Sequence, residues 1–155
     1  MNRWIALFLF LFAAFGAAAL GGLATASSVG DWYLTLKKPT WNPPSWVFGP
    51  AWTLLYILMS IAAWRIWLKR KNDGSVLTLW LHAVQLLLNA LWSVLFFGLQ
   101  RPDLALINIL GLLALLIAIQ FRLVRQDKAA AWLWPPYLAW VTFATLLNKA
   151  IWLLN

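Results

Sequence analysis

Three stretches of this 155-residue chain set aromatic rings and carboxamides three or four residues apart, the spacing that gathers side chains on one face of an α-helix. Trp52, Tyr56 and Met59 make the first face, just after a polar, proline-bearing stretch that runs from Trp41 through Pro43 and Pro44 to Ser45. His82, Gln85, Asn89, Trp92 and Phe96 make the second, with Ser93 beside them. Pro136, Tyr137, Trp140, Ala144 and Asn148 make the third, where the small Ala144 leaves room beside the Trp140 indole. Indoles stack on flat apolar molecules, and a few carboxamides or hydroxyls can fix such a molecule's polar edges. Gln85 and Asn89 would be costly against hydrocarbon and therefore face inward, either bonding another helix or holding a ligand. Three such faces can enclose one cavity, or can simply pack on one another.

The remaining inventory offers little for ordinary catalysis. There is no Glu, and Asp31, Asp73, Asp103 and Asp127 all fall in loops or at helix ends, so no intramembrane carboxylate is available for a proton relay. No GxxxxGK[ST] loop exists to cradle a nucleotide phosphate. With no cysteine there is no disulfide, thiolate or cysteine metal site. His82, the only histidine, can in principle ligate haem iron, but near a helix start it also reads as an interfacial donor or a packing residue. No metal site is assigned.

The elements that carry these faces follow from composition. Hydrophobic residues make up 64% of the chain, charged ones 10%, and the mean hydropathy is +0.79, which no soluble domain of this size tolerates on its surface. Apolar runs at about 4–26, 46–68, 76–99, 103–124 and 129–153 each have the roughly 20 residues a helix needs to cross a bilayer. The expectation is one all-α domain over residues 1–155, an integral membrane bundle of five transmembrane helices. Unpaired backbone groups are too costly in lipid for anything open, and the runs lack the alternation of barrel strands. No internal repeat supports an inverted-repeat transporter.

Charge fixes the expected orientation. Arg3, Arg65, Lys69, Arg70, Lys71, Arg122, Arg125 and Lys128 gather at one end, against Lys37, Lys38, Arg101 and Lys149 at the other. The positive-inside bias puts the N-terminus in the cytoplasm and favours an inner or plasma membrane, with an outer membrane still open. The net charge of +8 is thereby topology and anionic-lipid contact; no basic patch extends far enough to suggest nucleic acid.

Arg3, the apolar run after it and Ala24-Thr25-Ala26 also fit a secretory signal, but the run is longer than a usual signal core. Small residues at Ala13, Ala17 and Gly21, with Ala14, Ala18 and Gly22 beside them, suit close helix packing. The reading is a retained first helix that packs within the bundle or against a second subunit. Residues 27–45 are the one long loop and the candidate lid over a pocket. Ser45, or a residue near it, is placed to cap the second span, and Asp103 the fourth.

Trp32-Tyr33, Lys38-Pro39, Trp41, Pro43-Pro44, Phe48, Trp52, Tyr56 and Met59 together resemble the signature of the TspO/MBR family, the translocator and tryptophan-rich sensory proteins. The likeness continues through Gln85, Asn89, Trp92, Phe96-Phe97-Gly98, Pro136-Tyr137, Trp140, Ala144-Thr145 and Leu147-Asn148. The resemblance implies a five-helix bundle, commonly a homodimer, whose pocket beneath the first loop binds porphyrins such as protoporphyrin IX. It implies haem and benzodiazepine or isoquinoline carboxamide drugs as further ligands, with no obligatory cofactor. Ligand-binding positions carried over are Tyr33, Pro43, Trp52, Tyr56, Asn89, Trp92, Ser93, Trp140 and Ala144, to which the second helical face adds Gln85 and Phe96. Light-dependent porphyrin breakdown in some bacterial relatives would involve Trp52 and Trp140. Lys37 and Lys38 stand where propionates would stay near water. The end of the fifth helix, LLNKAIWLLN, lacks the tyrosine of the animal proteins' cholesterol motif, which argues against sterol binding. Transport of tetrapyrroles and light-dependent degradation stand as alternatives to a receptor or sensor.

Overall fold

A computed structural model describes all residues, 1–155, as an all-helical protein with five long apolar helical spans. The first, α1 (Arg3–Ala26), starts where the Asn2 side chain accepts from the Trp4 amide at 2.9 Å. A turn and the short α2 (Trp32–Thr35) lead into an extended stretch, and a 3₁₀ turn at Ser45–Val47 feeds α3 (Phe48–Leu68). Neither predicted cap forms. Pro44 precedes the 3₁₀ turn without a side-chain bond, and Asp103 instead pairs with Arg101 at 2.6 Å. Pro102 supplies the fixed φ that opens the fourth span, α5 (Pro102–Gln126).

Two irregularities shape the bundle. Helix α4 (Ser75–Ser93) widens into a π turn at Val94–Gly98, closed by the Leu99 amide on the Val94 carbonyl at 2.8 Å. The last span breaks between α6 (Lys128–Leu133) and α7 (Pro135–Leu154), where Pro135 and Pro136 have no amide proton to continue the ladder. The buried Trp134 ring plugs the break, its Nε1 donating to the Leu116 carbonyl at 3.1 Å.

The long helices form a closed ring in the order α1, α3, α6–α7, α5 and α4. Ala6 and Ala14 are wholly buried, and a mid-bundle layer of Met59, Leu112, Leu116 and Val141 is sealed from the surroundings. Outward-facing Phe8, Phe12, Leu87, Ile107 and Phe121 are exposed, the inverse of a water-soluble surface and the expected coat for acyl chains. This is therefore a multi-pass integral membrane protein.

The basic end is stapled by polar contacts. Asp127, buried, caps α6 through the Ala130 amide at 2.8 Å and holds Arg65 at 2.9 Å and Lys69 at 2.8 Å. Burial alone would raise its carboxyl, but Arg65, Lys69 and the Ala130 amide together hold it well below the usual carboxylate range. Gly74 turns the chain into α4 with φ +80°, and its carbonyl accepts from Arg122 at 2.8 Å.

Candidate ligand pocket

At the opposite end, beneath the lid, the helices part around a cavity of about 570 Å³. Its floor, Tyr56 and Asn89, is the upper end of a directed chain of hydrogen bonds that continues below the cavity. Tyr56 Oη donates to Asn89 Oδ1, Asn89 Nδ2 to Tyr137 Oη and Tyr137 Oη to Gln85 Oε1, each at 2.7 Å. Gln85 Nε2 then sits 3.2 Å from His82 Nδ1 and 3.5 Å from the Met59 sulfur. Each of the three 2.7 Å bonds joins α4 to α3 or α7, so the network ties three helices while keeping buried amides satisfied.

The walls are aromatic. Trp52 and Trp140 meet edge to face, 6.3 Å apart at 84°, and the edge of Phe48 meets Trp140 at 5.9 Å. Trp92 stacks on Phe96 at 5.1 Å and donates from Nε1 to Asn148 Oδ1 at 2.9 Å, which fixes the indole's tilt. Asn148 Nδ2 in turn donates to the Pro102 carbonyl at 2.9 Å. On the α1 side, Gly21 comes so close to α4 that an added Cβ would lie 3.1 Å from Ser93 Oγ.

The lid is fastened across the top. Asn155 accepts from the Lys37 amide at 3.0 Å and donates to its carbonyl at 2.9 Å. Tyr33 packs on Phe97 at 5.5 Å, and Lys38 Nζ lies 4.5 Å over the Tyr33 ring. The Ser28 hydroxyl donates to the Phe97 carbonyl, a bond the π turn leaves accessible. Burial pushes the Tyr33 phenol above its ordinary value, opposed by a hydrogen bond from Asn42. Asn42 Oδ1 itself is buried without a partner, an acceptor in the cavity wall.

Residues 8–153 match the sequence profile of the TspO/MBR family, nearly the whole chain. The chain belongs to the TspO/MBR family. The Tryptophan-rich protein TspO of Archaeoglobus fulgidus is 44% identical over 137 residues, covering 87% of each chain. The Tryptophan-rich sensory protein of Cereibacter sphaeroides is 43% identical over 148 residues, 96% of this chain and 90% of its own. The human Translocator protein is 37% identical over 123 residues, 78% of this chain and 73% of its own.

Ten of the eleven positions expected from sequence line the cavity of this TspO/MBR protein. Tyr33 and Pro43 lie on the lid side, Trp52 and Tyr56 on α3, and Asn89, Trp92, Ser93 and Phe96 on the α4 side; Trp140 and Ala144 come from α7. Gln85 does not line it; it is fully buried a turn below, holding Tyr137. His82 also lies outside the lining, packed between Phe10 and Trp134, with Nε2 buried and unpartnered. Lys37 and Lys38 belong to the lid's fastening and not to the lining. Sequence reasoning missed the α1 wall, Ala18, Gly21, Gly22 and Thr25; for Ala18, Gly21 and Gly22 the signal was the small-residue spacing assigned to packing.

Proposed function

We infer that this TspO/MBR protein is a membrane receptor or sensor that binds a porphyrin, protoporphyrin IX or haem, in the aromatic pocket. Benzodiazepine- and isoquinoline carboxamide-type ligands are carried over with it, as is a homodimer. The observation that carries the reading is the cavity itself. Its 570 Å³ falls inside the range of small-molecule sites, and Trp52, Trp92 and Trp140 offer indoles to a flat macrocycle. Tyr56 and Asn89 give it a polar floor, and Lys38 stands near the lid where propionates would emerge. The sensory and translocator names of relatives support the same class. The basic end, with eight cations against four, is assigned to the cytoplasm of an inner or plasma membrane.

Titration of the purified protein in the dark with protoporphyrin IX, followed in the porphyrin's absorption band, tests the reading. A saturable shift at one porphyrin per chain supports it, and a linear, unsaturated response overturns it. Sealed vesicles separate a receptor from a transporter: the receptor binds saturably without protein-dependent accumulation of porphyrin in the lumen.

A further inference from the structure

The seam between α1 and α3 changes character half-way along. At the basic end it is tight: Trp64 Nε1 donates to the Arg3 carbonyl at 2.8 Å, and the Trp4 and Trp64 rings stack 5.8 Å apart. Further along, the Ser60 hydroxyl lies 3.3 Å from the Phe10 carbonyl, and Phe15 meets Tyr56 at 5.8 Å. Continuing this antiparallel register brings Ala18 toward Trp52, Gly22 toward Gly49 and Ala26 toward Ser45. All six residues line the cavity. Five are small, and Gly22, Ala26, Gly49 and Ser45 are exposed, so they form its rim. A Cβ added at Gly22 or Gly49 would meet nothing within 4 Å.

The other way in is fastened shut. Asn155 clasps the Lys37 backbone, Tyr33 and Trp32 pack on Phe96, and Trp41 lies 5.7 Å from Phe143. These contacts hold the lid to the α4 and α7 side, away from the α1–α3 seam. Both Gly22 and Gly49 lie inside helical spans apolar enough to sit in hydrocarbon.

We propose that the pocket exchanges its ligand with the bilayer, through a lateral slot between α1 and α3 rimmed by Gly22, Ala26, Ser45 and Gly49. The ligand class is a flat or elongated apolar molecule that partitions into lipid before it meets the protein. Its polar edge stays at the headgroup level beside the lid, while its apolar body slides between the helices. The choice of porphyrin as probe rests on the function inferred above; the slot itself rests on the α1–α3 geometry.

The test has two arms in reconstituted vesicles. In the first, protoporphyrin IX is mixed in the dark with wild type, Gly22→Leu, Gly49→Leu and Asn155→Ala, and quenching is followed in time. Side chains that fill the slot should slow association and dissociation together, by about tenfold, as expected for a narrowed passage. Gly22→Ala should fall between wild type and leucine, and Asn155→Ala, which frees the lid, should leave both rates alone. Unchanged rates in the leucine variants, or faster exchange in Asn155→Ala, would overturn the slot.

The second arm needs no ligand. Because the chain has no cysteine, Ala18→Cys carries a single nitroxide label whose collision rate with lipid-dissolved oxygen reports access from the bilayer. High access, close to that of a label at the lipid-facing Phe121, supports the slot. Access as low as at buried Leu116 contradicts it, whatever the porphyrin experiment gives. Absence of any saturable quenching in wild type, with an accessible Ala18 label, would reject the porphyrin and keep the slot.

Discussion

Tyr56 on α3 donates a 2.7 Å hydrogen bond to Asn89 on α4, and both residues face the cavity. The pair makes the pocket floor and a helix–helix bond out of the same atoms. Binding and stability are thereby coupled at this point, and each can be perturbed separately through neighbours.

Asn89→Leu strands the Tyr56 hydroxyl and removes a donor to Tyr137, so it is expected to cost about 1–3 kcal/mol of stability. Gln85→Leu removes the acceptor of the Tyr137 hydroxyl and the partner of His82, and a loss of similar size is expected. Only Asn89→Leu touches the cavity lining, so porphyrin affinity should fall further for it than for Gln85→Leu. Unfolding followed by circular dichroism, with a dark titration of each variant, checks both statements.

The Asp127 cluster sets an acid limit. Its carboxyl is held lower in the folded protein than in the unfolded chain, so its contribution is complete above the ordinary carboxylate value of about 4. That contribution fades as pH falls from there through the folded value. Stability from this group should be flat between about pH 5 and 8 and decline below about pH 4. Asp127→Ala should remove this group's share of the pH dependence, with a loss at pH 7 of about 1–3 kcal/mol from the α6 cap and two ion pairs with part-exposed cations. Unfolding as a function of pH measures it.

Gly74→Ala tests the α3–α4 turn. The position has φ +80°, and a Cβ there would stand 2.9 Å from Arg122 Nη2. A loss of about 1–2 kcal/mol is expected from the left-handed conformation alone, with no change in porphyrin affinity. A thermal melt of the variant beside wild type is sufficient.

Much of this structure is legible in the sequence because the bilayer writes its constraint in one dimension. Apolar runs bounded by charges predicted spans such as 46–68 and 103–124, and the helices lie at Ser45–Leu68 and Pro102–Gln126. Helical periodicity likewise put Trp52 with Tyr56, and Asn89 with Trp92, on common faces. Periodicity says nothing of depth along a helix, which is why Gln85 shared the right face yet lies a turn beneath the cavity. The π turn at Val94–Gly98 has no marker in its composition. The α1 wall was hidden because alanine and glycine serve close packing and open space equally, and only the neighbouring helix decides which.

Light should damage the complex without turning it over. Trp52 and Trp140 both line the cavity, in edge-to-face contact with each other, and would adjoin an excited porphyrin. Illumination is expected to bleach tryptophan fluorescence in proportion to porphyrin lost, less so in Trp52→Phe and Trp140→Phe. Many equivalents of one modified porphyrin from an intact protein would instead establish a light-driven enzyme.

The central claim, a porphyrin held among these indoles and over this amide floor, is tested most directly by tryptophan quenching with protoporphyrin IX in the dark. Wild type, Trp140→Phe and Asn89→Leu would be titrated side by side, with folding checked by circular dichroism. Saturable quenching in wild type, weakened by both substitutions in folded protein, is the predicted result. Linear quenching, identical in all three proteins, would mean that the porphyrin dissolves in the surrounding detergent and that the pocket serves another ligand.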